Sequence, residues 1–175
     1  MSTQQPLNVL FLCTHNSARS ILAEAALNHL GHTDGVQRFR GFSAGSSPRD
    51  NQQPNPLALR ALQAAGMSTD GLSSKSWDVF ALPDAPSMDL VITVCDNAAG
   101  ETCPFWPGQP ATAHWGYPDP SLASGSEADQ LAAFKQTLLA IHRRLALLIH
   151  LPAPGVNRLL LQQHARTLAQ AQAAD

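Results

Sequence analysis

Aromatic residues make up only 6% of the 175-residue chain, with a single tyrosine, and charged residues only 14%. A net charge of −2 leaves no basic surface to draw in nucleic acid or an anionic membrane, so neither is expected as a partner. No run approaches the roughly 20 apolar residues that a membrane span needs. The opening Met1 to Pro6 lacks a basic region followed by an apolar core, so no leader is expected and the compartment is read as cytoplasmic. Three cysteines are too few for a disulfide scaffold. In a reducing compartment each must be read as catalytic, metal-binding or incidental. What remains is a hydrophobic fraction of 44%, enough to bury a single core.

The most informative stretch is Cys13-Thr14-His15-Asn16-Ser17-Ala18-Arg19-Ser20. The apolar run Leu7 to Leu12 precedes it, and a helix-forming run, Ile21 to Leu30, follows. A loop between strand and helix turns successive backbone N–H groups, and the positive end of the helix dipole, into one cup that suits a tetrahedral oxyanion. Thr14, His15, Asn16, Ser17 and Ala18 supply the cup, and no metal or other cofactor is needed. Arg19 adds a planar fork that can hold two oxygens of one anion. Cys13 sits at the mouth, where N–H groups and Arg19 favour its thiolate. Ser20 is placed to donate a hydrogen bond to the sulfur. A small buried hydrophobe is the ordinary reading of one cysteine, but it leaves Arg19 and Ser20 unexplained.

Further along, Val36 to Ser43 reads as a short edge strand, followed by a polar loop from Ala44 to Pro54. Asn55 caps and Pro56 opens a helix through Ala65. Ser76 to Phe80 reads as one helical turn that packs Trp77 and Phe80. The β-branched run Met88 to Val94 reads as a strand buried on both faces of a parallel sheet, and it delivers Cys95 at its carboxyl end, where ligands of such sheets gather. Cys103-Pro104 follows after a Gly-containing segment that can bend. A zinc site with His114 would lack a fourth ligand; incidental cysteines and a redox pair working with Cys13 remain open on these residues alone. Ala111 to Trp115 forms the last strand, and Asp119-Pro120 follows it. Ser126 caps a long helix whose Leu131, Phe134, Leu138, Ile141, Leu145 and Leu148 recur at helical spacing. The expected division is one domain over 1–150 and a helical extension over 151–175, the latter able to dock on its own domain, support a dimer or fray.

The Cys13 to Ser20 stretch, with Asp119-Pro120 and the two later cysteines, resembles the low-molecular-weight protein tyrosine phosphatases and the arsenate reductases that share their fold. The resemblance runs from residue 7 to about 150. It implies an α/β three-layer sandwich with a four-stranded parallel sheet flanked by helices. It implies that Asn16 braces the cup and that Asp119 is the general acid that protonates the departing oxygen. In some reductases the position of Glu24 helps bind potassium, although an exposed helix acid is the commoner outcome. His15 departs from the small or apolar residue often found there.

The branch is chosen by what the chain has and lacks. Phosphatases of this family carry an aromatic in the loop matching 44–54 and tyrosines after the Asp-Pro; this chain has neither, with Tyr117 before it and Ser121-Leu122 after. The reductases, in contrast, carry a cysteine ending the third strand and another before proline, as Cys95 and Cys103 do. The resemblance therefore implies reduction of arsenate through a Cys13, Cys95, Cys103 relay, with thioredoxin as the reducing partner or a glutaredoxin or small thiol in its place. A tyrosine phosphatase is the alternative.

Overall fold

The computed structural model describes residues 5–96, 110–150 and 158–173. Four parallel strands form the central sheet in the order β4 (Phe39–Gly45), β1 (Leu7–Cys13), β5 (Leu90–Thr93) and β6 (Ala111–His114). A sheet connected this way needs a crossover after each strand, and α1 (Arg19–Leu30) supplies the first. The middle strands are buried on both faces, which is why their sequences are continuous apolar runs rather than alternating ones. Val9 and Phe11 face the larger core cluster, shared with Ile21, Leu22, Phe134, Ile141 and Leu145 of the helical layer. Leu10, Leu12 and Val91 face the smaller one, closed by Phe42, Trp77 and Phe80.

Local signals hold the helices in place. Asn55 Oδ1 accepts from Leu57 N at the start of α2 (Pro56–Ala64), and Ser126 and Asp129 form a reciprocal capping box at the start of α3 (Glu127–Leu148). Trp77–Ala81 is a 3-10 helix capped by Ser76, as one helical turn requires, with Trp77 and Phe80 partly buried. The segment after α1 is more ordered than its turn-rich sequence suggests: His32–Thr33 and Val36–Gln37 pair as a small antiparallel ladder, β2 and β3.

The C-terminal helix α4 (Arg158–Ala173) docks on its own chain, the first of the three outcomes its sequence allows. Leu161, Ala165 and Leu168 are buried in the main core. Its polar side chains serve edge strand β6, where Thr112 N donates to Gln162 Oε1 at 3.0 Å and Arg166 Nε donates to Thr112 O at 2.9 Å; just past the strand, Trp115 Nε1 donates to the backbone Ala165 O at 2.9 Å. An edge strand presents a row of unpaired backbone groups, and here side chains of α4 take up part of it.

Candidate active site

The loop from Thr14 to Ala18 joins β1 to α1 and closes around Cys13, which is a free thiol only 4% exposed. Asn16 N donates to Cys13 Sγ at 3.1 Å, and Ser20 Oγ lies 2.9 Å from the same sulfur. Asn16 adopts the left-handed conformation, φ 56°, which Asn tolerates better than most residues. Its side chain explains the direction of the neighbouring bonds. The backbone N–H of Lys75 can only donate, and it meets Asn16 Oδ1 at 2.9 Å; Asn16 Nδ2 is therefore the end that meets Ser20 Oγ, at 2.8 Å. That amide donates to the hydroxyl oxygen and leaves the hydroxyl proton for the sulfur. Ser74 Oγ donates to Asn16 O at 2.6 Å, so the segment around Lys75 grips Asn16 at two points.

Other elements brace the loop from outside. Ser46 N donates to Cys13 O, Ser47 N to Thr14 O and Asn55 N to Ser17 O, all at 2.8 to 3.1 Å. His15 Nδ1 lies 3.0 Å from Ser47 O, so the side chain where the family often has a small residue ties the loop to the polar segment beside it. Gly45 closes the approach: a Cβ there would lie 2.7 Å from Thr14 O and 3.0 Å from Asn16 N.

Arg19 is 5% exposed; its Nη1 donates to Tyr117 O at 3.0 Å and its Nη2 lies 3.7 Å from Asp119 Oδ2. Asp119 caps the short 3-10 helix Pro120–Leu122, its Oδ1 accepting from Ser121 N and from Ser121 Oγ at 2.9 and 2.7 Å. One oxygen is thus spent on the local turn, and the other faces the guanidinium. Cys13, Arg19 and Asp119 share a cleft of about 830 Å³, walled in part by the polar run Arg49, Asp50, Asn51, Gln52 and Gln53 and in part by Pro54, Pro56 and Leu122. The resemblance pointed to the 44–54 loop as a neighbour of the site, but nothing in a solvent-facing polar loop says which of its residues form the wall. Among the described residues, no Phe, Tyr or Trp lines the cleft. Tyr117 is buried instead, its ring stacked 5.0 Å from the guanidinium of Arg144, which also lies 5.2 Å from the Trp115 ring.

Cys95 is fully buried at the end of β5. The pairing of Leu12 with Thr93, continued by Val94 N donating to Leu12 O at 2.9 Å, sets Val94 opposite Cys13 and Cys95 one residue further on. Cys13 and Cys95 both belong to the main buried cluster, on the side of the sheet covered by α1 and α3. His114, weighed above as a zinc ligand, has its Nδ1 2.7 Å from Thr93 Oγ1. Burial holds its pKa below the ordinary value, with Asp96 opposing and Arg144 reinforcing the shift. Cys103 lies outside the described residues.

Glu24, the position at which the resemblance raised potassium, is engaged by side chains of this chain. Its carboxylate is mostly buried, accepts from Ser43 Oγ at 2.5 Å and faces Lys75 Nζ at 3.9 Å. Burial pushes the Glu24 pKa up and the Lys75 pKa down, each opposed by the other's charge. The place beside Glu24 is taken by an ammonium group.

A parallel α/β sheet that delivers a buried cysteine into a strand–loop–helix cup beside an arginine defines a class of oxyanion-handling enzymes built like the small tyrosine phosphatases. The chain belongs to the low molecular weight phosphotyrosine protein phosphatase family, whose profile matches residues 8–158. It is similar to the arsenate reductase of Bacillus licheniformis, 36% identical over 138 residues that cover 78% of this chain and 91% of that one, and to that of Bacillus subtilis, 33% identical with the same coverage. Among solved structures it resembles the arsenate reductase of Archaeoglobus fulgidus, with a TM-score of 0.62 and 25% identity over 81% of this chain and 98% of that one.

Proposed function

We propose that this protein reduces arsenate to arsenite, and that the observation carrying this reading is a second buried thiol, Cys95, two residues past the end of β5 and in the same buried cluster as Cys13. A phosphatase needs a single sulfur, whereas a reductase needs a second within bonding reach of the first. The kinship with arsenate reductases and the absence of Phe, Tyr and Trp from the cleft lining among the described residues support the same branch.

Each step uses a group already described. Arsenate, a tetrahedral oxyanion, sits among the N–H groups of residues 14–18 and the Arg19 fork. Cys13 thiolate attacks arsenic, an S–As bond forms, and Asp119 delivers the proton with which one oxygen leaves as water. Cys95 then attacks the Cys13 sulfur. The S–S bond forms as the S–As bond breaks, and its electron pair stays on arsenic, which departs as arsenite. Two thiols are oxidised for one arsenic reduced by two electrons. Because Cys13 is 4% and Cys95 0% exposed, an external reductant reaches that disulfide poorly. Cys103 completes the relay in this reading by attacking Cys95 and releasing Cys13, so that a dithiol partner of the thioredoxin class meets the Cys95–Cys103 disulfide.

Cys95→Ser tests the reading. It abolishes arsenate reduction and leaves hydrolysis of a small aryl phosphate, which needs only Cys13, Arg19 and Asp119. Loss of both activities together, or of neither, contradicts the relay.

A further inference from the structure

The long side chain of Lys75 reaches behind the cup. Its Nζ donates to Ser73 O at 2.7 Å and Ser43 O at 3.1 Å and lies 3.9 Å from Glu24 Oε1. Two carbonyls and a carboxylate converging on one positive charge are the donor set of a monovalent cation site, with the cation here tethered to the chain. The carboxylate's neighbour, Ser43 Oγ, spends its proton on Glu24. The cluster joins three elements: α1 through Glu24, β4 through Ser43 and the 73–75 segment.

We infer that Lys75 is a positioning residue whose ammonium serves as a resident cation, holding the 73–75 segment against the back of the cup and so fixing Cys13 without potassium. This rests on the oxyanion-cup reading of Cys13 but not on arsenate as the substrate. The physical path is short. Where Nζ anchors the segment, Lys75 N and Ser74 Oγ grip Asn16, Asn16 Nδ2 holds Ser20 Oγ, and Ser20 Oγ meets the sulfur. Lys75 O also accepts from Gly45 N at 2.8 Å, which fastens the same segment to the end of β4. An uncharged residue at 75 would leave Glu24 buried without its counter-charge, and a buried carboxylate without a partner draws either a proton or a cation. The oxygens left behind, Glu24 Oε1, Ser43 O and Ser73 O, then suit a free cation the size of ammonium or potassium.

The test compares this chain with Lys75→Ala, both carrying Cys95→Ser and Cys103→Ser so that only Cys13 reacts, and reads the rate of Cys13 alkylation by iodoacetamide in sodium, potassium or ammonium chloride at equal ionic strength. No arsenate turnover is required, so the outcome is independent of the proposed reaction. The expected result is an unaltered lysine form that is indifferent to the cation, and a variant slowed roughly tenfold in sodium, the scale on which groups supporting a reactive ligand act. Potassium and ammonium restore the variant. Acceleration of the lysine form by potassium overturns the inference, because an ion would then bind beside Lys75. A variant as fast as the lysine form in sodium, or slow in every salt, overturns it as well. Should the variant fail to fold in sodium, folding in potassium or ammonium supports the inference, and failure in all three salts refutes it.

Discussion

Arg19 Nη2 and Asp119 Oδ2 face each other across the cleft at 3.7 Å, while the opposite carboxylate oxygen of Asp119 is held by Ser121. The arrangement separates two duties within one side chain. Oδ1 builds the turn, and Oδ2 is left to face Arg19 in the cleft. Asp119→Asn keeps an acceptor for Ser121 N and removes the proton donor. Arsenate turnover is expected to fall about 10²–10⁴-fold in kcat, the usual range for a general acid, while phosphate still inhibits at a similar concentration. A comparable loss of phosphate binding would assign Asp119 to the turn alone.

Ser20 meets the sulfur directly, its Oγ 2.9 Å from Cys13 Sγ. Ser20→Ala removes the hydroxyl proton from the thiolate and leaves Asn16 Nδ2 buried without its acceptor. A hydrogen bond to a charged group is worth about 1.5–3 kcal/mol, so alkylation of Cys13 at mildly acidic pH should slow by at least roughly tenfold. Circular dichroism should stay unchanged, since Ser20 is followed by a full helix. An unaltered alkylation rate would mean that Asn16 N alone sustains the sulfur.

Gly45 offers a backbone test of the same cup. A methyl group there meets Thr14 O at 2.7 Å and the backbone of residues 15 and 16 at 3.0 Å, atoms that cannot rotate away. Gly45→Ala should cost about 1–3 kcal/mol in urea unfolding and lower activity beyond what the stability loss explains. Wild-type activity in this variant would show that the cup tolerates displacement.

The cup was legible because its chemistry is consecutive: one loop carries the nucleophile, the N–H groups, Arg19 and Ser20, between a strand and a helix. Strand β5 was legible as a double-buried apolar run, and the starts of α2 and α3 as Asn-Pro and Ser-x-x-Asp caps. Lys75 was not. A lysine among serines reads as solvated loop, and its weight comes from a contact with Asn16 that spans 59 positions in sequence. The seat of α4 was equally hidden, since an amphipathic stripe says that a face is covered without saying by what. Glu24 shows the limit of analogy: the matching residue is present, but Lys75, which decides its surroundings, comes from another part of the chain.

His114 makes stability depend on pH. Burial holds its imidazole below the ordinary pKa of 6.5, so the folded protein binds fewer protons than the unfolded chain at mildly acidic pH. The contribution is complete above pH 6.5 and is lost as pH falls below it. The residue is partly open to solvent, which keeps the effect modest. Melting temperature should decline on acidification through this window, and His114→Asn, which can still meet Thr93 Oγ1, should decline less. Parallel curves for the two proteins would assign the acid sensitivity to other groups.

Helix α4 lies almost wholly past the segment that matches the family profile, yet it completes the core rather than decorating it. Leu161 is 2% exposed, and Trp115, fully buried, depends on Ala165 O for its indole N–H partner. Leu161→Ala should therefore destabilise the protein by about 2–5 kcal/mol, as no dispensable tail would. Ending the chain at residue 157 should go further. It uncovers Trp115 and strips Gln162 and Arg166 from Thr112, leaving β6 with backbone groups that can pair with another chain. A red-shifted fluorescence, absent when Trp115 is replaced by Phe, and concentration-dependent association by light scattering are the expected signs. A truncated protein that stays monomeric with an unshifted spectrum would show that the sheet closes its own edge.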